Sequence, residues 1–182
     1  VLPLWWNEND SCACGKNCQQ NRAKHPLTPL VPHGLKDATR DKDIAASWFT
    51  TFPRANIGIV CDGLVVLDVD PRHGGNDSLY EMEKKYGKLP DTIQVLTGGG
   101  GQHVYFVSTD KTLRSCSLAE GLDVRANGSY VVAPPSIHKS GLLYTFEASS
   151  DIDTVLSDVP AWLLGLIKKP ILVSADSTIP TG

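Results

Sequence analysis

Three short segments of this chain alternate apolar and ionisable residues with the two-residue period of a β-strand. Because successive side chains of a strand point to opposite faces of a sheet, each segment can bury one face and leave an ionisable pair on the other. The ionisable positions are Asp68 and Asp70 in the first segment, His103 and Tyr105 in the second, and Asp123 and Arg125 in the third. If the three strands are neighbours, one face of a sheet collects three carboxylates, a histidine and an arginine. The pattern predicts a sheet with one apolar face toward a core and one open, chemically active face.

The first pair of acids indicates a metal site. Asp68 and Asp70 end the apolar run that begins at residue 64. On one sheet face their charges lie about 7 Å apart and repel each other. A hard divalent cation such as Mg²⁺ or Mn²⁺ removes that repulsion, since it prefers oxygen ligands. The alternative is a solvated strand end with two ordinary surface acids, because Asp-x-Asp alone is a common pattern.

The remaining ionisable residues suit nucleotidyl transfer at such a site. Asp123 would complete a two-metal site that lowers the pKa of an attacking hydroxyl. His103 and Arg125 would offset the charge of a leaving pyrophosphate. The glycines at 98–101 would let backbone N–H groups approach a phosphate, although no Gly-Lys-Ser/Thr follows to make a Walker loop. Taken singly, the glycines also fit a hairpin turn, the histidine a structural role and the arginine a surface ion pair.

A second set of potential metal ligands lies in residues 11–40, a stretch rich in Cys, Pro, Gly and polar residues. A loop this long needs a staple or a functional reason to stay ordered. Three thiolates and one imidazole make a tetrahedral shell for structural Zn²⁺. The candidate ligands are Cys12, Cys14, Cys18 and His25, spaced C-x-C-x3-C-x6-H. His33 is the alternative fourth ligand, and free cysteines in a loose loop are the alternative interpretation.

Short strands dominate the rest of the chain, with a few helices between them, which favours an α+β fold with helices packed on one face of a sheet. Strands 56–60 and 64–69 are predicted to pair as a hairpin through the turn 61–63. The predicted helices cover 41–52, 76–87 and 160–167, and the further strands cover 92–96, 103–107, 122–125, 130–133 and 142–146.

The length of 182 residues indicates one domain, or one domain of two lobes. We expect residues 1–170 to form the catalytic domain and residues 171–182 to be a linker to a further domain of a longer protein. No apolar stretch is long enough to span a membrane, and no signal-peptide pattern is present.

The net charge of −3 argues against a broadly basic nucleic-acid coat. Contact with nucleic acid must then use a local patch, and binding should be weak and sensitive to salt. The candidate patches are Lys36, Arg40 and Lys42, or Lys84, Lys85 and Lys88. Either patch is also explained as an ordinary solvated face.

Three motifs taken in order resemble the bifunctional primase–polymerase (prim-pol) domain of the archaeo-eukaryotic primase superfamily. They are Val-Leu-Asp-Val-Asp-Pro at 66–71, Thr-Gly-Gly-Gly-Gly-Gln-His-Val-Tyr-Phe at 97–106, and Leu-Asp-Val-Arg-Ala-Asn-Gly-Ser-Tyr-Val-Val-Ala-Pro-Pro-Ser at 122–136. Residues 55–58 and the Lys-His-Pro at 24–26 are also similar to prim-pol sequence. The resemblance covers roughly residues 20–150, and the three motifs are specific as a set.

This resemblance implies a two-lobed α/β catalytic core around a sheet similar to an RNA-recognition-motif fold. It implies that Asp68, Asp70 and Asp123 bind Mg²⁺ or Mn²⁺. By the same resemblance, His103 would contact the triphosphate of the incoming nucleotide, helped by Arg125 and by the backbone around Gly100 and Gly101. Many members carry a small residue or Ser two positions before the histidine, and Gly101 leaves only a backbone contact possible there.

The loop after the third motif holds two further candidate nucleotide contacts. Ser136 and His138 would lie near the sugar or the base, and the alternative is a rigid loop with an exposed histidine. Asn56 and Asn127 are turn residues that could also reach the ribose or the base.

Together these features predict a DNA-dependent primase–polymerase of plasmid, phage or mobile-element replication, acting in the cytoplasm of a prokaryotic or phage-infected cell. Its partners would be a single-stranded DNA template, nucleoside triphosphates and a helicase domain in the same full-length chain. One alternative is a glycosyltransferase that holds Mn²⁺ and a nucleotide-sugar on Asp-x-Asp. Another is a non-catalytic module that binds replication-origin DNA.

Overall fold

The structure is a computed structural model that describes residues 1–150 and 153–168. Eleven strands and three α-helices lie within these residues, in agreement with an α+β fold. The strands are β1 (Leu2–Leu4), β2 (Asn7–Glu8), β3 (Ser11–Cys12), β4 (Asn56–Val60), β5 (Leu64–Val69), β6 (Gln94–Leu96), β7 (Gln102–Val107), β8 (Cys116–Ala119), β9 (Leu122–Arg125), β10 (Tyr130–Ala133) and β11 (Thr145–Phe146). The α-helices are α1 (Lys42–Thr51), α2 (Gly75–Tyr86) and α3 (Ala161–Ile167). The predicted linker at 171–182 lies outside the described residues.

Six strands form an antiparallel sheet in the order β11-β6-β7-β5-β9-β8. β5 is central, with β7 hydrogen-bonded along one edge and β9 along the other. Its residues Val65, Val66, Leu67 and Val69 are 1% exposed or less. A strand that is paired on both edges and covered on both faces has little freedom to move. The side chains at its end therefore start from a rigid backbone.

One face of the six-stranded sheet packs against α2 and α3. Val65, Leu67 and Val69 lie on this face and share a core with Leu79 of α2 and Leu163 of α3. Full burial of each large apolar side chain stabilises the fold by about 1.5–3 kcal/mol. The prediction of helices on one face holds for these two helices, whereas α1 contacts β1 instead.

The opposite face of the sheet is not open along its whole length, as the alternation had predicted. A three-stranded sheet in the order β1-β4-β10 lies over it. Val66 and Tyr105 pack into a core with Leu2 and Val131 of that sheet. Tyr105 is therefore only 6% exposed and belongs to the core. The open part of the face lies at the level of Asp68, one side-chain repeat beyond Val66.

The predicted hairpin between residues 56–60 and 64–69 is wrong. β4 pairs with β1 and β10 in the three-stranded sheet, whereas β5 pairs within the six-stranded sheet. The turn at 61–63 thus carries the chain from one layer to the other. Cys61 is fully buried, and its N–H donates to the carbonyl oxygen of Ser129, beside β10. Alternation identifies a strand and its buried face, but it does not identify the strand's partner.

The three predicted helices are present, each within one residue of its expected bounds. The strand expected at 142–146 is reduced to β11, and β2, β3 and β8 had not been predicted. Across the described residues, no helix combines the length and the apolar character that crossing a membrane requires.

Candidate active site

The candidate residues meet where β7, β5 and β9 lie side by side. Asp68 stands directly opposite His103 on one neighbouring strand and directly opposite Asp123 on the other. A pocket of about 400 Å³ opens at this level. Its lining residues are Gln20, Lys24, Asp68, Val69, Asp70, Arg72, His73, Thr97, Gly99, Gly101, His103, Gly121, Asp123, Arg125, His138 and Tyr144. The three acids predicted from the sequence thus line one pocket.

Asp68 and Asp123 both lie beside the guanidinium group of Arg125. The Nη2 atom of Arg125 lies 3.0 Å from Oδ2 of Asp123 and 3.5 Å from Oδ2 of Asp68. Arg125 and Asp123 are two residues apart on β9, so the strand period puts both side chains on the same face as Asp68. One guanidinium faces two carboxylates, so these three groups together carry a net negative charge.

Asp70 has a separate partner, because the strand ends before it. β5 stops at Val69, and Asp70 caps the 3₁₀ helix Pro71–His73 by accepting from the Arg72 N–H at 3.0 Å. The Arg72 guanidinium binds the same carboxylate through Nε at 3.0 Å and Nη2 at 2.8 Å, and Nδ1 of His73 lies 3.0 Å away. These hydrogen bonds, led by those from the Arg72 side chain, hold the pKa of Asp70 well below its ordinary value.

His103 is buried beside Asp68, with 6% of its surface exposed. Its Nε2 lies 3.7 Å from Oδ1 of Asp68, and its Nδ1 has no hydrogen-bond partner among the described residues. Burial lowers the pKa of His103 to about 4, because the cost of desolvating the imidazolium outweighs its attraction to Asp68. The imidazole is therefore neutral near pH 7 and presents one N–H, which we place on Nε2 because that atom faces the acid.

Lys24 is a pocket residue to which the sequence analysis gave no role. Its side chain lines the pocket with the carboxylates. Its backbone is fixed on both sides, since its N–H donates to Asn21 and its carbonyl oxygen accepts from the Tyr130 hydroxyl at 2.9 Å. Burial lowers the pKa of Lys24, against the attraction of Asp68. The signal was present in the Lys-His-Pro motif at 24–26, of which only the histidine had been considered.

The glycine segment forms a tight turn between β6 and β7. The N–H groups of Gly100 and Gly101 both donate to Thr97, the first to its carbonyl oxygen and the second to its hydroxyl. Gly101 lines the pocket, whereas Gly100 lines a neighbouring cleft. A Cβ at Gly101 would lie 2.5 Å from the carbonyl oxygen of Val69. This close approach to β5 leaves no room for a side chain at position 101.

The loop after β10 brings His138 to the pocket but not Ser136. The buried Ser136 hydroxyl accepts from the Ile57 N–H at 2.8 Å, and the residue is absent from the pocket lining. His138 is 4% exposed, so the alternative of an exposed histidine is wrong. Its Nδ1 lies 3.0 Å from the Ser140 hydroxyl, and burial lowers its pKa to about 4.

The two asparagines act within the fold. Asn56 is buried and joins two segments, since its Nδ2 donates to the carbonyl oxygens of Ala23 and Ile137 at 2.9 and 2.8 Å. Asn127 donates to the carbonyl oxygens of Asp110 and Leu113. Neither asparagine lines the pocket.

The Cys-rich segment brings four potential metal ligands together, and we call them the Cys/His cluster: Cys12, Cys14, Cys18 and His25. Nε2 of His25 lies 3.2 Å from Sγ of Cys12 and 3.3 Å from Sγ of Cys18, and the sulfurs of Cys14 and Cys18 are 3.2 Å apart. The cysteines are free thiols. His33, the alternative ligand, instead lies 3.1 Å from Asp37.

Within residues 1–150 and 153–168, no other group of three or more His, Cys, Asp or Glu side chains has all its ligand atoms within 4.8 Å of one another. The three acids of the pocket therefore stand further apart than the Cys/His cluster does. Their donors are nevertheless hard oxygens that face one cavity, and the charges that now balance them are the guanidinium groups of Arg125 and Arg72. This donor set fits a hard divalent cation that would replace part of that guanidinium charge.

A comparison with protein families agrees with the motif order. The family model described as "Bifunctional DNA primase/polymerase, N-terminal" matches residues 1–162. The matched range includes both the pocket and the Cys/His cluster. No curated protein matches the chain.

Proposed function

The chain belongs to the bifunctional DNA primase/polymerase family, as its three motifs had predicted, and on that premise we propose that the pocket carries out template-directed nucleotidyl transfer. Membership implies a nucleotidyltransferase with DNA and nucleotides as substrates. It favours this reaction over the glycosyltransferase and the origin-binding module. The single observation that carries the proposal is the row of Asp68, His103 and Asp123 across three adjacent strands.

Asp68, Asp70 and Asp123 would hold Mg²⁺ or Mn²⁺. When bound, such ions supply charge neutralisation and a lower pKa for the attacking 3′-hydroxyl. The carboxylates suit this role because they are hard oxygen donors that face one pocket, each beside an arginine whose charge a metal ion could partly replace. Asp70 in particular stays ionised far below neutral pH, since Arg72 binds both of its oxygens.

The pocket's own residues would bind and orient the triphosphate. Lys24, Arg72 and Arg125 surround the carboxylates with fixed positive charge. His103 is neutral and would donate its Nε2–H to a phosphoryl oxygen, so it orients the nucleotide without adding charge. The His103 ring packs beside the rings of Tyr105 and Tyr144, with centroids 6.2 and 6.1 Å away, and this packing favours one orientation of the donor.

We assign the six-stranded sheet as the RNA-recognition-motif-like sheet of a two-lobed primase core. Residues 1–170 would form this catalytic domain. We further propose that the Cys/His cluster binds a structural Zn²⁺, because three thiols and an imidazole are the donors that zinc prefers and no position is left open for a substrate. The partners would be single-stranded DNA, nucleoside triphosphates and, in replication of a mobile element, a helicase domain elsewhere in the same protein.

The test is a template-dependent extension assay with Mn²⁺, labelled nucleotides and a single-stranded template, with and without a primer. We expect Asp68→Asn and Asp123→Asn each to lower kcat at least about a hundredfold, because each removes an ionised oxygen ligand beside the reacting phosphate. Asp62→Asn is the matched control, since Asp62 is an acid outside the pocket that pairs with Arg40 and Lys111. Full activity in either pocket variant, with metal-dependent synthesis in the wild type, would refute the assignment.

A further inference from the structure

A second cavity, which we call the basic cleft, lies next to the catalytic pocket. Its volume is about 1090 Å³, more than twice that of the pocket. One side is formed by the Cys-rich segment, with Cys12 and Cys18 in the lining, and the other by the glycine turn and the loop at 138–142. Arg72, Gly99 and His138 line both cavities, so the cleft leads into the pocket.

The basic cleft concentrates positive charge in a protein whose net charge is −3. Four cationic side chains line it against one acid, Asp10. They are Lys16, Arg22, Arg72 and Lys139, of which Arg72 is paired with Asp70 in the neighbouring pocket. Within the described part of the chain, Lys16 and Lys139 form no ion pair, so their charge is available to a ligand.

The two patches proposed from the sequence differ from the cleft in their position. On α2 and just after it, Lys84 lies 3.8 Å from Glu81, and Lys88 lies 2.6 Å from Glu83. In the other patch, Arg40 pairs with Asp62. Lys36, Lys42 and Lys85 form no ion pair among the described residues, so pairing alone does not separate the patches from the cleft. What separates them is position, because no cation of either patch lines the cleft or the pocket.

The walls of the basic cleft are tied to each other by Arg22. Its Nη1 donates to the carbonyl oxygen of Asp10 in the Cys-rich segment, and its Nη2 donates to that of Lys139 at 3.2 Å. The far wall is tied in turn to the glycine turn, because the Ser140 hydroxyl donates to the Gly98 carbonyl oxygen at 2.6 Å. These links hold the cations of both walls around one open space.

The rim of the cleft also offers apolar surface. Leu142 lines the cleft and is 64% exposed. A smaller depression adjoins the cleft, since Lys16 and Cys18 line both cavities. Trp5 also lines this depression. Sites for single-stranded nucleic acid combine a cationic groove along the backbone with apolar or aromatic surfaces for the bases. The cleft has this combination, and the glycines at 98–100 let a strand approach the backbone.

We propose that the basic cleft binds the single-stranded DNA template and leads it to the catalytic pocket. The inference rests on the proposed function, because it takes nucleotidyl transfer in the pocket as the reason for a template there. A triphosphate alone does not account for the cleft. Its phosphates would lie against the carboxylates of the pocket, whereas the cleft extends from the pocket to Cys12 and Cys18 of the Cys/His cluster.

Binding of a fluorescently labelled oligodeoxythymidylate, followed by anisotropy without nucleotide or Mg²⁺, tests this placement. We expect Lys16→Ala/Lys139→Ala to weaken binding roughly 10- to 30-fold at 0.1 M salt and to reduce the slope of log K against log salt by about 1.4, the loss for two phosphate contacts. Lys84→Ala/Lys85→Ala is the matched control and should bind like the wild type. Lys16→Arg/Lys139→Arg should also retain binding, and circular dichroism with measurement of bound zinc checks that each variant is folded.

The outcomes separate this proposal from the proposed function. If Lys16→Ala/Lys139→Ala binds the oligonucleotide like the wild type while Asp68→Asn abolishes synthesis, the cleft is not the template site and the function stands. If the alanine pair instead raises only the KM for nucleotides, the cleft holds the triphosphate and the proposal is overturned. Equal loss of binding in Lys84→Ala/Lys85→Ala would place the strand on α2 and also overturn it. Loss of binding in the cleft variant alone supports the cleft even if the wild type makes no DNA.

Discussion

The pocket and the Cys/His cluster are both sets of candidate metal ligands, but they are held in place by different means. Asp68 lies next to the last residue of β5, a strand that is paired on both edges and buried on both faces. The cluster lies in a segment with little regular structure, and Gln19 and Ala23 there adopt positive φ values of 45° and 63°. Backbone hydrogen bonds and apolar packing fix the first site. In the second, hydrogen bonds from Asn56 and Tyr130 hold residues 23 and 24, and a bound metal would have to fix the turn that carries Cys14 and Cys18.

This difference matters for how each site responds to its metal. Sheet register sets the distances in the pocket whether or not a cation is present, which is useful if the ion arrives with a nucleotide. A metal site whose backbone is not otherwise ordered gains its folding free energy from the metal. The cluster should therefore order the wall of the basic cleft, while the pocket should keep its shape without any ion.

The largest effect that would test this contrast is removal of zinc. We expect chelation to speed amide hydrogen exchange in residues 14–20 at least about a hundredfold, because this part of the segment would lose the ligand bonds that order it. Exchange in β5 should not change. The measurement is hydrogen exchange followed by mass spectrometry, with bound zinc quantified in the same samples.

Cysteine variants provide the control for that experiment. Cys14→Ser should lower the bound zinc and reproduce the effect of chelation, whereas Cys116→Ser, outside the cluster, should keep about one zinc per chain. Slow exchange in residues 14–20 after complete removal of zinc would mean that packing alone orders the segment, and the contrast between the two sites would not hold.

The converse change weakens the sheet and leaves the cluster intact. Leu67→Ala removes a fully buried side chain from the centre of the helix-packed core, and such a change destabilises a protein by about 2–5 kcal/mol. We expect urea unfolding to show this loss while the bound zinc stays unchanged. Val155→Ala, at a position that is 81% exposed, is the control and should be close to neutral. Loss of zinc in folded Leu67→Ala would show that the cluster depends on the sheet core.

Sequence patterns predicted the pocket to the extent that strand periodicity determines it. A period of two assigns Asp68, His103, Asp123 and Arg125 to one face, and their placement around the pocket needs only that three strands be neighbours. Asp70 departs from the pattern because β5 ends at Val69, and a local hydrogen-bonded cap replaces the strand geometry.

The rest of the site depends on how distant segments approach each other, which no local pattern records. Lys24 reaches the pocket because the Cys-rich segment lies across the open end of the sheet. The burial of Tyr105 follows from the three-stranded sheet, whose position was hidden by the mistaken hairpin. The spacing allowed either His25 or His33 as the fourth ligand, and only the path of the chain brings His25 to the thiols.

The smallest expected effect is the stability contributed by the Asp70–Arg72 ion pair, which tests whether the pocket holds this carboxylate without a metal ion. Arg72 lowers the pKa of Asp70 in the folded protein. The ion pair therefore stabilises the fold at pH values above about 3.9, the pKa of Asp in the unfolded chain. This stability is lost as the pH falls through the lower pKa of the folded state. Since the carboxylate is partly exposed, we expect Asp70→Asn to cost roughly 1–2 kcal/mol at pH 7 and to flatten the pH dependence of unfolding below about pH 4. The measurement is urea unfolding between pH 2.5 and pH 7, with Glu81→Gln on α2 as the control. An unchanged acid profile in Asp70→Asn would mean that Arg72 does not hold this carboxylate in solution, and that the pocket needs a bound cation to fix it.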